Sequence, residues 1–243
     1  MLRRTLLITV ALAVVLCLLI VVVRTQQYAF RFRAERLEND IKSLQYGSTT
    51  FSQARPILQR WNVTYDDGTC ETAKCSAEIT LGDFAYARAE FFSRHQRLFR
   101  TYGILGGRPA FVRAAASVQD GALRSKSYAL YVEVFPSEAM AVGFTPLGYS
   151  LIGATRTMEK LPERYAVDSR HPTYRIGWPS GCEVCIMIYA DFTSAASPGD
   201  VERVSKFDFS CLTRWVHPCR LKRDVMPTAW QDIRTEHPEM SPD

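Results

Sequence analysis

The sequence predicts an α+β fold: an N-terminal transmembrane helix, then a helical hairpin and a longer helix packed on a mainly antiparallel β-sheet. Three observations predict it. An uncharged run of 19 residues lies near the amino terminus, apolar residues then recur at helical spacing as far as Tyr102, and from Pro109 onward the spacing changes to alternation.

The uncharged run extends from Thr5 to Val23. At 1.5 Å per residue a helix of this length covers roughly 28 Å, close to the hydrocarbon thickness of a bilayer. Val21, Val22 and Val23 lead directly into Arg24 without a small-residue cleavage site, so the run is expected to remain as an anchor. Cys17 follows Leu16 rather than the small residue of a lipidation site and is expected to be a membrane thiol. The expected partition is a short tail at 1–4, the anchor at 5–23, an amphipathic juxtamembrane helix at 24–45, a single α+β domain at 46–236 and a flexible tail at 237–243.

Orientation rests on two opposed signals. Arg24, Arg31, Arg33 and Arg36 after the run outnumber Arg3 and Arg4 before it, which by the positive-inside rule favours a cytoplasmic domain. Large domains, however, translocate largely regardless of charge, and the cysteine usage suits an oxidising compartment. The expected location is therefore the cell membrane, with a single pass and the C-terminal domain outside the cytoplasm. The expected partners are the lipid bilayer, through residues 5–23, and an unidentified envelope protein. The net charge of +5 falls to +2 once Arg3, Arg4 and Arg24 are set aside, so nucleic acid is not an expected partner.

Beyond the anchor, Phe30, Ala34, Leu37, Ile41 and Leu44 recur at spacings of four and three among charged residues, which predicts an amphipathic helix. Gly47 is expected to cap it, and Ser48, Thr49 and Thr50 offer N-caps for a second helix with Phe51, Ala54, Leu58 and Trp61 on one face and Pro56 within it. After a hydrophilic stretch from Tyr65 to Lys74, Asp83 is the expected N-cap of a longer helix lined by Phe84, Ala87, Phe91, His95, Leu98 and Tyr102. His95 on that stripe reads as a core histidine, and Arg88, Arg94, Arg97 and Arg100 as a solvated polar face rather than a lipid-binding one.

Val112, Ala114, Ala116 and Val118, the Asp120-Gly121 turn, and Tyr128, Leu130, Val132 and Val134 together predict a β-hairpin. Further strands are expected at 149–158, 173–178, 184–193 and 206–212, with a short helix near Asp200 to Val204.

Six cysteines lie outside the apolar run: Cys70, Cys75, Cys182, Cys185, Cys211 and Cys219. They are expected to form disulfides, although six cysteines permit 15 connectivities and spacing does not choose among them. The alternative is structural zinc on the thiolates of Cys182, Cys185, Cys211 and Cys219; no other cofactor is expected. A thiol–disulfide exchange site at Cys182-x-x-Cys185 lacks a following helix to stabilise a thiolate, since Ile186 to Tyr189 read as a strand.

Neither H-E-x-x-H nor G-x-S-x-G occurs, and no catalytic residue is nominated. The expected function is accordingly a binding or scaffolding module of the cell envelope. The alternatives are a redox or zinc-stabilised protein, or a hydrolase assembled from distant residues.

The stretch Leu44-Gln-Tyr-Gly-Ser-Thr-Thr-Phe-Ser-Gln-Ala54 leading to Trp61 and the Cys70/Cys75 loop, with Phe209-Ser-Cys-Leu-Thr213 and Met226-Pro-Thr-Ala-Trp230, resembles uncharacterised single-pass bacterial membrane proteins. The Gly47-Ser-Thr-Thr-Phe51 turn is also similar to the two-helix start of small outer-membrane assembly lipoproteins. That resemblance implies helices followed by a sheet and transfers no functional residue.

Overall fold

The structure, a computed structural model, describes residues 2–65, 74–134, 149–159, 170–177, 185–236 and 238. The fold is α+β: a long, apolar N-terminal helix and a mixed seven-stranded sheet with further helices. Helix α1 runs unbroken over Leu2–Ser43, 42 residues or about 63 Å. Its first part is almost wholly exposed, and it is long and apolar enough to cross a membrane. The anchor and the amphipathic helix read separately from the sequence are thus one continuous helix.

A single stripe explains that continuity. Ile20, Val23, Gln27, Phe30, Ala34, Leu37, Ile41 and Leu44 follow one another at intervals of three and four, and from Val23 onward all of them are buried. Arg24 interrupts the apolar run without interrupting the stripe, because it lies on a neighbouring face. The end of α1 is held by a side chain distant in sequence: Lys126 donates from Nζ to the carbonyls of Leu44 at 2.6 Å and Lys42 at 3.2 Å, satisfying orphan acceptors of the last turn. Gly47 does take the left-handed conformation, at φ 72°.

Helix α2 (Phe51–Gln59) buries Phe51, Ala54 and Leu58, and the Thr50 amide donates to Gln53 at its start. Asp40 ties α2 back to α1 by accepting from Trp61 Nε1 at 2.7 Å and pairing with Arg60 at 3.0 Å. Strands β1 (Thr64–Tyr65) and β2 (Lys74–Gly82) follow, and then the segment expected to be one long helix divides into α3 (Phe84–Ala87), α4 (Ala89–Arg94) and α5 (Gln96–Ile104). Arg88 and His95 take non-helical backbone angles at the breaks.

The breaks curve this segment around α1. Ala85, Phe92, Tyr102 and Leu105 turn inward onto Val23, whereas Phe84, Phe91 and Leu98, expected to be inside, are exposed. His95 is exposed as well, its ring stacked on Phe91 at 4.5 Å, so it is not a core histidine.

The hairpin is as expected. Strands β3 (Ala110–Gln119) and β4 (Ala122–Val134) pair antiparallel with Ala110 opposite Val132, and Asp120 and Gly121 turn at φ 52° and 76°. The remaining strands are β5 (Tyr149–Met158), β6 (Thr173–Gly177) and β7 (Cys185–Thr193), and the sheet order is β1-β2-β3-β4-β5-β7-β6. Among the described residues every pairing is antiparallel except β5 with β7.

Helix α6 (Pro198–Val204) starts at Ser197, whose side chain accepts from the Asp200 amide. The strand expected over 206–212 is instead an extended lead into a 3-10 turn at Phe209–Leu212. Two further helices were not foreseen: α7 (Lys222–Val225) and α8 (Pro227–Glu236), the latter burying Ala229, Trp230 and Ile233. Helix α7 lies so close to β5 that a Cβ on Gly153 would stand 2.5 Å from Val225 Cγ1. The tail expected at 237–243 lies, apart from Pro238, outside the described residues.

Candidate functional site

Three constellations of buried polar groups stand out, and each lies where α1 or the parallel strand pair meets the rest of the chain. The first lines a cavity of about 30 Å³ between α1, β4, β5 and α6, bordered by Glu38, Lys42, Lys126, Tyr128, Ser205 and Phe207 among others. Glu38 accepts from Lys42 Nζ at 2.7 Å and from the Phe207 amide at 3.4 Å. Burial raises its carboxyl pKa, a push that Lys42 opposes. Tyr128 donates to the Ala34 carbonyl at 2.9 Å, which seats α1 on β4.

A cavity of that size holds one or two waters and is far smaller than the several hundred Å³ of a substrate pocket. Chemically it is a polar seam that fixes the helix to the sheet. Burial, aided by Lys42, pushes the Lys126 ammonium down to about 8 from its ordinary 10.5. Between those values the unfolded chain binds the proton that the folded chain has released, so stability rises with pH across that window. In chemical denaturation Lys126→Met is expected to lose this rise; an undiminished rise in the variant would assign it to another group.

The second constellation centres on Asp191 of β7, which is fully buried. Its carboxylate accepts from Arg156 of β5 at 3.2 Å through two nitrogens and from Arg175 of β6 at 2.8 Å. Arg175 also lies over the Tyr189 ring, 4.6 Å from its centroid. One carboxylate thereby bridges three strands.

The third lies where α1 emerges from its apolar segment. Gln27, the polar member of the buried stripe, donates to Asp83 Oδ2 at 3.1 Å and to the Tyr102 hydroxyl at 2.7 Å, while Tyr102 donates to the same carboxylate oxygen at 2.9 Å. Asp83 Oδ1 accepts from the Tyr86 amide at 2.8 Å and caps α3, as the sequence predicts. Burial raises the Asp83 carboxyl pKa above its ordinary range, against the pull of these three donors. Gln27 Oε1 is buried without a hydrogen-bond partner.

The cysteines separate into resolved and undescribed parts. Cys211 and Cys219 are disulfide-bonded to each other, their Cα atoms 4.8 Å apart, and both are buried. Cys75, at the start of β2, is disulfide-bonded too. Cys70, Cys182 and the Cys185 side chain lie outside the described residues. Zinc on Cys182, Cys185, Cys211 and Cys219 would require the Cys211–Cys219 bond to be reduced. Among the described residues no group of three or more His, Cys, Asp or Glu side chains is placed to hold a metal ion. Cys185 opens strand β7, so the C-x-x-C pair leads into a strand.

Sequence reasoning found Asp83 as a cap and Cys211 and Cys219 as cysteines to be bonded, but it missed Gln27, Lys126 and Asp191. Gln27 carried a readable signal, a polar residue in phase with an apolar stripe. Lys126 and Asp191 acquire their roles from partners more than 15 residues away and carried none. Compared with protein-family models, curated proteins and solved structures, the chain matches none.

Proposed function

We propose that this chain is a membrane-anchored binding or scaffolding module of the cell envelope, crossing the bilayer once through residues 5–23 with its α+β domain outside the cytoplasm. The observation that carries the reading is the unbroken α1: the element apolar enough to cross a membrane also enters the domain core from Phe30 to Leu44, and a second buried cluster at Val23. An enzyme tethered for localisation alone is served by a flexible linker, whereas a helix shared between anchor and core holds the domain at a fixed height and angle. Fixed placement suits a module that presents a surface to a membrane-proximal partner. The Cys211–Cys219 bond and the bonded Cys75 support the oxidising side of the membrane.

The test uses the full chain in intact cells. An impermeant protease is expected to cleave the domain without lysis, non-reducing peptide mapping to recover Cys211 joined to Cys219, and an impermeant cross-linker to trap the chain in a discrete larger species. A domain protected until lysis and carrying reduced cysteines would reverse the orientation. An outside domain that never cross-links would remove the scaffolding role.

A further inference from the structure

Around the point where α1 leaves its apolar segment, two elements form a collar. The α4–α5 layer packs on Val23, and Ile20, one turn earlier in the apolar run, packs against the same cluster. From the other side, Arg24 donates to the Thr213 carbonyl and to the Gly106 carbonyl, and its guanidinium lies 4.7 Å from the Trp215 ring centroid. A Cβ on Gly106 would touch both Arg24 and Trp215, so the 104–107 turn and the 213–216 loop meet at this level of the helix.

The outer surface of this collar is apolar and basic at once. Ile104 is 80% exposed, Val216 71% and Trp215 58%, and Phe91 and Leu98 are also exposed. Between residues 84 and 104, Arg88, Arg94, Arg97 and Arg100 stand against the single acid Glu90. Exposed apolar side chains of this size, on elements that also carry arginines, are the composition of a membrane interface, where Trp sits at headgroup level and arginine stems lie along acyl chains.

We infer that the collar formed by α4, α5 and the 213–216 loop is seated in the lipid interface, its apolar tips among the upper acyl chains and its arginines on anionic phospholipid headgroups. This rests on the reading of residues 5–23 as a bilayer span. Continuity with that span supplies the occupant: Ile20 lies roughly 6 Å below Arg24 along the helix, so any element packed on Ile20 shares its depth. The arginines read from sequence as a solvated face are thereby assigned to headgroups.

The experiment places the full-length protein in nanodiscs of phosphatidylcholine, with and without phosphatidylglycerol, containing a trace lipid with a diazirine on its upper acyl chain; labelled residues are mapped by mass spectrometry. Labelling is expected within 5–23 and also at Phe91, Leu98, Ile104, Trp215 and Val216, stronger at these five when phosphatidylglycerol is present. The double variant Ile104→Asp with Val216→Asp changes only exposed positions and is expected to lose collar labelling while retaining that of 5–23. Labelling confined to 5–23 overturns the collar, as does collar labelling that the double variant leaves unchanged. Equal labelling in the two lipid mixtures overturns the anionic assignment, and absence of label from 5–23 itself overturns the membrane reading on which the inference stands.

Discussion

Asp83→Ala is expected to destabilise the α3–α5 layer by roughly 2–4 kcal/mol, combining the loss of a helix cap with the loss of hydrogen bonds to a buried carboxylate. The carboxylate meets Gln27, Tyr102 and the Tyr86 amide and is only 3% exposed. Its removal leaves Gln27 and Tyr102 only each other. Because these polar contacts join α1 to the layer that wraps it, the loss is expected to be local: amide hydrogen exchange accelerates over 84–105 while β3 and β4 keep their protection. Uniform loss of protection throughout the domain would show instead that the layer and sheet unfold as one unit.

Asp83→Asn provides the pH control. It keeps an oxygen for the Tyr86 amide, and its amide hydrogens have an acceptor available in Gln27 Oε1 once that side chain is flipped. Burial raises the Asp83 pKa, so the folded state binds a proton more tightly than the unfolded one, and the wild type gains stability as pH falls through the raised folded-state value towards the ordinary 3.8 of the unfolded chain. The Asn variant is expected to lack that gain. A pH profile identical to wild type would place the titration elsewhere.

Asp191→Ala is the second large effect, expected near 3 kcal/mol in urea denaturation. It leaves Arg156 and Arg175 adjacent at the outer end of the sheet without the buried carboxylate that both of them contact. The value sits at the low end for a broken buried ion pair because the arginine side chains remain 34% and 23% exposed, so water screens part of their repulsion. Asp191→Asn, which keeps hydrogen-bonding capacity, is expected to lose less. A triple change of Asp191, Arg156 and Arg175 to apolar residues is expected to recover much of the loss, since it removes all three charges together. If Asp191→Ala cost under about 1 kcal/mol, the trio would have to be treated as solvated rather than as the clasp between β5, β7 and β6.

Sequence and tertiary structure divide the rest between them along a physical line. Residue periodicity alone determined which faces are apolar: the three-and-four spacing from Phe30 to Leu44 and the alternation from Val112 to Val134 both mark buried sides. Those patterns arise from the geometry of helix and strand, so they are written locally. The same locality misled at 206–212, where Phe207, Phe209 and Cys211 alternate as a strand would. All three are buried, but the chain coils there into a 3-10 turn beside the Cys211–Cys219 bond. At 84–104 the apolar residues suit one straight helix, yet wrapping around α1 buries Ala85 and Phe92 in place of Phe84 and Phe91. The parallel pairing of β5 with β7, the capping of α1 by Lys126, and the joining of Gln27 to Asp83 across 56 residues were decided only by tertiary structure. A single strand or polar side chain carries no record of its partner; that choice depends on which surfaces the whole chain brings together, and on the cost of leaving a buried polar group alone.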